Sequence, residues 1–198
     1  MRSEPAVEGG RRRRADARRS IEAILDAAIA VLAERPDASV EDVARAAGVS
    51  RQTVYAHYSS REELLEAVAR RAMGQAVAAI DASRPDEGAP GEALGRLIDA
   101  AWQTLAAHAR LLEAMHGARS AEDLRAFHEP ILDRLEKLAR RGRRAGEFDR
   151  GAPVPWLLAT VLALSHAAAA EVDAGRVTER EAGRALRRSV ARVFAAQG

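Results

Sequence analysis

The sequence predicts an all-α protein, and three observations carry that reading. Strong helix formers dominate a chain in which hydrophobic residues make up 47% and charged residues 30%, with few runs of Val, Ile, Thr or aromatic residues that would argue strands. Apolar residues recur at three- and four-residue spacing along most of its length. Pairs of capping residues, Ser39 with Asp42, Ser60 with Glu63 and Thr178 with Glu181, open several of those runs. With 198 residues the chain can bury a sizeable core, and a division into two unequal parts is expected.

The elements follow in order. Residues 1–16, rich in Gly, Pro and Arg, are expected to form a flexible basic arm. From Ser20 the residues Ile21, Leu25, Ala28 and Leu32 share a helical face, and Pro36 closes the run. Ser39 then precedes VEDVARAA, in which Val40, Val43, Ala44 and Ala47 form one apolar face of a short helix. Gly48 ends it, and Ser50 is placed to cap a second short helix that runs to about Tyr58. Ser60 and Glu63 open a longer helix expected to turn Leu65, Val68, Ala69, Ala72, Ala76 and Ile80 inward. The stretch SRPDEGAPGE, near residues 83–92, interrupts the pattern. A first domain is therefore expected over residues 17–82 and a second over 83–198, with the fourth helix belonging structurally to both.

In the second part Leu94, Leu97, Ile98, Ala101 and Leu105 mark a helix, and a shorter one is expected from Leu111 to about His116. Ser120 can cap another whose inner stripe is Leu124, Phe127, Ile131, Leu135 and Leu138, and Pro130 inside that stripe predicts a kink or a restart. RAGEFDRGAP reads as a loop. The helix from Pro153 to Asp173 is apolar around most of its circumference, which requires cover on more than one side. Its core falls short of the roughly 20 apolar residues of a membrane span, is diluted by alanine and contains Ser165 and His166. The last helix, capped by Thr178, carries the stripe Ala182, Leu186, Val190, Val193 and Phe194.

Charge gives little by itself. The formal net charge is +2 although the pI is near 9.6, and Lys137 is the only lysine, so the placement of arginines decides more than their number. The absence of cysteine excludes disulfides and thiolate metal sites and fits a reducing compartment. The N-terminal stretch has charge but no apolar core, as neither a secretory signal nor an anchor would, and a cytoplasmic location is expected.

The segment from Ser39 to His57 reads as helix, tight turn, helix. A glycine at position 48 can take a positive φ at no steric cost, which lets two short helices cross steeply. In a helix-turn-helix of this kind the second helix offers its leading side chains to the DNA major groove. Ser50, Arg51, Gln52 and Thr53 are hydrogen-bonding residues at that leading end; Arg can pair bidentately with guanine and Gln with adenine. Tyr55, His57 and Arg61 are expected to hold phosphates on the flanks, Ser39 is a further expected DNA contact, and Val54 points inward.

These residues resemble a known family. VEDVARAAGVSRQTVYAHYSSREELL is similar to the DNA-binding signature of the tetracycline-repressor (TetR) family, and the likeness runs from about Ser20 to Ile80. Gly48, Val49, Ser50, Thr53, Val54, Tyr55, His57, Glu62 and Leu64 match that signature as they stand; Tyr58 replaces the usual phenylalanine and Arg61 the usual lysine. Past residue 90 the likeness is architectural only. The resemblance implies a homodimeric transcription regulator, usually a repressor, that binds an operator in double-stranded DNA and has an all-α C-terminal domain for dimerisation and a small ligand. It further implies that the last two helices pair across the dimer, and Leu157, Val161, Leu164, Leu186, Val190 and Val193 are the residues expected there.

For an effector cavity, apolar with few polar groups, the candidates are Trp102, Met115, Phe127, His128 and Trp156, although ordinary core packing explains each equally well. The histidines have no metal-ligand spacing, and no nucleophile is tied to a base, so neither metal, cofactor nor catalysis is expected. Two alternatives stay open: a helical enzyme with a site built from His108, His116 or His128, and a DNA-binding adaptor that takes no ligand.

Overall fold

The computed structural model describes residues 6–35, 37–106 and 121–196, and among them every regular element is an α-helix. Contacts divide the chain into two compact units, Met1–Arg71 and Ala72–Gly198. The first holds α1 (Ala6–Glu34), α2 (Val40–Ala46), α3 (Arg51–His57) and the opening turns of α4 (Arg61–Ala82); the second holds the rest of α4, α5 (Pro90–Ala106), α6 (Ala121–Ala145), α7 (Val154–Asp173) and α8 (Glu179–Phe194).

α1 begins at Ala6, not near Ser20, so helical backbone runs through most of the segment expected as an arm. Alanine and arginine are good helix formers and extend an existing helix at little cost, a propensity that a compositional reading of Gly and charge overlooks. The buried face of α1 is Ile24, Ala28, Ile29 and Leu32, with Ile21 and Leu25 only partly covered. Asp26 on α1 accepts from the Arg71 guanidinium at 3.1 Å, which fastens α4 to it. On α4 the inward residue is Leu64, not Leu65, because Leu64, Val68, Ala72, Ala76 and Ile80 lie one above another at four-residue spacing.

In the second unit α5 packs against α6, α7 and α8, and α7 against α6 and α8. Their inner faces meet in a core that includes Leu97, Leu135, Leu138, Leu157, Leu158, Val190 and Phe194. Pro130 neither breaks nor restarts its helix: α6 is continuous from Ala121 to Ala145. Pro130 and Ala126, whose carbonyl loses its usual N–H partner, are both exposed, so water can serve that carbonyl. The turn after α6 folds back on it, and the Phe148 ring fills the space that a Cβ on Gly142 would need. Phe148 also meets Phe194 edge-on at 5.2 Å, where an isolated bridge joins Phe148 to Ala195. α8 starts as expected: the Glu181 carboxylate accepts from Thr178 N–H at 2.9 Å, and Thr178 Oγ1 accepts from Glu181 N–H at 3.3 Å. The short helix expected from Leu111 to His116, and the cap at Ser120, lie outside the described residues, as does Met115.

α7 is long and apolar enough by composition to cross a bilayer, yet Val154, Leu157, Leu158 and Val161 close the core of this unit. Its opposite face, Trp156, Ala159, Ala163 and Ala167, is exposed.

Candidate nucleic-acid interface and internal cavity

Gly48 has φ +67°, and a Cβ there would meet nothing within 4 Å, so the position demands glycine for its backbone and not for space. The Gly48 N–H donates to Arg45 O and the Val49 N–H to Ala44 O, which closes α2 with a reversal of the chain. Ser50 then caps α3: its Oγ accepts from Thr53 N–H at 3.1 Å and lies 2.8 Å from Thr53 Oγ1. These two hydroxyls are engaged with each other at the helix start, while Arg51 and Gln52 are exposed in the leading turn. Val54 is 1% exposed and anchors the helix from beneath.

Tyr55 is 39% exposed, an unusual position for an aromatic ring, and the Arg51 guanidinium lies 5.3 Å from its centroid. That contact holds two large side chains together on the outer face of α3. His57 is half-buried and Tyr58 is buried, where burial raises the Tyr58 phenol above its ordinary pKa. Tyr58 thus packs beneath α3, where an aromatic ring was expected from the signature.

Two expected DNA contacts have structural occupations. Ser39 is the N-cap of α2: its hydroxyl donates to Asp42 Oδ2 at 2.7 Å and accepts from Asp42 N–H at 3.2 Å. That hydroxyl, with the Ser39 N–H and nearby Arg35 and Arg45, holds the Asp42 carboxyl below its ordinary range. Arg61 is half-buried and reaches back to Ala38 O at 3.5 Å. The cap at the head of α4 is shared between neighbours. Ser60 Oγ accepts from Glu63 N–H at 3.1 Å, but Glu63 returns to Ser59, whose N–H and hydroxyl both donate to Oε2 at 2.6 Å. Ser59 therefore takes the half of the box expected of Ser60.

The second unit encloses a small cavity of about 40 Å³ lined by Leu97, Ile98, Trp102, His128, Val161 and His166 among others. Of the expected ligand residues it brings Trp102 and His128 together. Phe127 stands behind His128, edge-on at 5.2 Å, and Trp156 is 64% exposed on the outer face of α7, away from the cavity. Trp156 follows the helix start by two positions, and the buried phase of α7 belongs to Leu157 and Leu158. His128 Nδ1 lies 2.7 Å from Leu124 O; a carbonyl only accepts, so Nδ1 carries the proton. The His166 ring is 5.4 Å from that of His128. Sequence reading left out His166, Ser165 and the α5 residues Leu97, Ile98 and Ala101 as cavity lining; helical phase was the available signal, since Leu162 and Ser165 lie beside the buried Leu158 and Val161 of α7.

The expected dimer residues divide in the same way. Leu157, Val161, Leu186 and Val190 are closed by the core of their own subunit, and Leu164 and Val193 are half-buried against it. An amphipathic stripe marks the face that packs first, here within the chain, and the outer faces of α7 and α8 are different residues. His108 and His116 lie outside the described residues, and among those described no three His, Asp or Glu gather as a metal site would need.

Comparison with known proteins accords with this arrangement. Residues 24–68 match the model of bacterial regulatory proteins of the tetR family, and residues 90–190 match a tetracyclin repressor-like C-terminal domain, so the likeness past residue 90 is more than architectural. The HTH-type transcriptional repressor LfrR of Mycolicibacterium smegmatis is 43% identical over 95 residues, 48% of each chain. The chain spans about half the length of the curated relatives it matches. The crystal structure of LfrR from Mycobacterium smegmatis in complex with proflavine has a TM-score of 0.71 at 26% identity, covering 91% of this chain and 98% of that one. FadR from Bacillus subtilis, in complex with stearoyl-CoA, has a TM-score of 0.70 at 19% identity, covering 87% and 98%, a likeness of fold alone. With a capped recognition helix behind a left-handed glycine and two domain matches in the family's order, the chain belongs to the tetracycline-repressor family of DNA-binding transcription regulators.

Proposed function

We propose that the chain works in the cytoplasm as a homodimeric repressor that leaves its operator when a small effector occupies the C-terminal unit. The observation that carries the DNA half is the exposed trio Arg51, Gln52 and Tyr55 on a helix whose start is fixed by Gly48 and Ser50. Arg51 and Gln52 suit base edges, and Tyr55, with His57 and Arg61 beside it, suits the phosphates that set register. Repression is supported by the similar LfrR, which is a repressor.

Dimerisation is supported by the outer face of α7. Trp156, Ala159, Ala163 and Ala167 form an exposed apolar strip, and a groove beside it is lined by Leu164, Ala168, Ala185 and Ser189. A second copy set against that strip would bury it and pair two recognition helices with a two-fold site. An effector acts through its difference in affinity for the operator-competent and released states.

Selection of bound sequences from random double-stranded DNA tests the proposal. A pseudo-palindrome with half-sites spaced by about one helical turn, roughly 34–36 Å, is expected. Retention of DNA without sequence preference would refute it.

A further inference from the structure

Trp102 belongs to two spaces at once. On one side its indole walls the internal cavity with Leu97, Ile98, His128 and Ile131. On the other it borders an open cleft between α5 and α8, lined also by Asp99, Gln103, Arg180, Gly183 and Arg184. Among the described residues, Trp102 is the one that lines both spaces.

The ring has a specific seat. Nε1 donates to Glu179 O, in the first turn of α8, at 3.1 Å. The indole lies over Gly183, and a Cβ there would stand 2.7 Å from both Cδ1 and Nε1. Glycine is unfavourable inside a helix, and its place in α8 is explained by the room it leaves for Trp102. The hydrogen bond is one that water in the cleft can replace, so the ring can leave its seat without stranding its N–H.

The cavity, about 40 Å³, is large enough for water but far below the roughly 300–1,000 Å³ of small-molecule sites. Occupation therefore requires a wall to move. Resting on the reading of this unit as the effector domain, we propose that Trp102 is that wall: an uncharged, largely apolar effector with a hydroxyl or N–H group enters between α5 and α8 as the indole swings aside.

The lining selects the chemistry. Among the described residues the cavity presents Leu, Ile, Val and Ala with Trp102, His128, Ser165 and His166, and no Asp, Glu, Lys or Arg. An ion placed there would lose its hydration without meeting a counter-charge. Ser165 Oγ donates to Val161 O at 2.9 Å and so presents acceptor lone pairs to the cavity. That hydroxyl favours a ligand that donates a hydrogen bond.

The test uses the full-length protein and N-phenyl-1-naphthylamine, a neutral N–H-bearing probe whose emission rises in apolar surroundings, with cationic proflavine as the contrast. A saturable rise at one probe per chain is expected, and its rate should level off with probe concentration because movement of the indole limits entry. Gly183→Ala, which unseats the ring while adding a good helix former, and Trp102→Ala, checked for intact helicity by circular dichroism, should each raise that plateau by about tenfold or more. The same plateau in Gly183→Ala and wild type, no saturable rise in wild type, or displacement of the neutral probe by proflavine would overturn the proposal. Loss of sequence-specific DNA binding would instead overturn the regulator reading, and operator binding without these probe effects would overturn this inference alone.

Discussion

Asp81 and Arg134 face each other as a two-pronged ion pair, Nε to Oδ1 at 2.6 Å and Nη2 to Oδ2 at 2.7 Å, tying the last turn of α4 to the middle of α6. The same guanidinium donates through Nη1 to Pro130 O at 2.7 Å. α6 supplies His128 and Ile131 to the cavity, and α4 runs back in sequence to Arg61, next to the recognition segment. The pair thus ties the helix that helps line the cavity to the helix that joins the two units in sequence.

Removing that link gives a pH-dependent prediction. The Arg134 hydrogen bonds hold the Asp81 carboxyl below its ordinary range. A carboxyl depressed on folding contributes stability that is fully present above its unfolded pKa, about 3.9, and lost as pH falls through the lower folded value. The Asp81 side chain is 52% exposed, so solvent screening limits the pair to about 1 kcal/mol. Asp81→Asn should lower the free energy of unfolding by about that amount at neutral pH, with the gap to wild type closing in acid. Urea melts at both pH values decide it; a gap that persists in acid would locate the loss elsewhere.

Gly48→Ala separates backbone cost from packing cost. No atom lies within 4 Å of the added methyl, so only the left-handed φ of +67° opposes the substitution, at about 1–2 kcal/mol. Gly48→Asn, which tolerates that region, should recover part of the loss. Gly142→Ala meets the Phe148 ring instead and should be the more damaging change, although its backbone is helical. Thermal denaturation of the three variants reads the order directly, and equal melting temperatures would remove the distinction.

How much of this was legible in the sequence depends on whether local chemistry or tertiary packing made the choice. Caps at Ser39, Ser50 and Thr178 were readable because each is settled within three residues, and Val54 because a short helix has few ways to face inward. Leu65 and Trp156 went wrong by one position of helical phase, which periodicity fixes poorly where neighbouring residues are also apolar. The expected dimer residues divide for a deeper reason: hydrophobicity marks what is buried, and Leu157 and Val190 are buried within this chain, while Leu164 stays half-buried beside the outer face of α7. Gly183 carried no signal at all, since its role depends on a tryptophan far away in sequence.

Base reading is tested by Gln52→Ala. Gln52 is exposed in the leading turn of α3, while Ser50 and Thr53 beside it are joined through their hydroxyls. Losing one bidentate contact should relax preference at one position of each half-site by about 1–3 kcal/mol while leaving the protein fully folded. Repeating the binding-site selection with the variant measures it, and an unchanged consensus would remove Gln52 from base contact.

Phosphate contact is tested by Arg61→Ala, whose guanidinium now has the Ala38 carbonyl within 3.5 Å. If it also neutralises a phosphate, affinity falls alike for all sequences and the slope of log affinity against log salt flattens by about one unit. A slope equal to that of wild type, with lower stability, would make Arg61 a brace between α4 and the turn before α2.

The last prediction concerns the outer face of α7. Ala163 is exposed there in line with Trp156 and Ala167, whereas Leu157 on the opposite face is wholly buried. Ala163→Glu places a carboxylate in the strip proposed to meet its own copy, where two-fold symmetry would set two such charges near each other without touching the core. The variant should keep its helicity and melt near the wild-type temperature, yet sediment as a monomer. Two recognition helices held on one body bind as a linked pair, so the monomer should lose about 10²–10⁴ in operator affinity while retaining weak half-site binding. Leu157→Asp should instead destroy the fold, since it buries a carboxylate with no counter-charge in an apolar core. A stable Ala163→Glu dimer with undiminished operator affinity would show that the copies meet elsewhere.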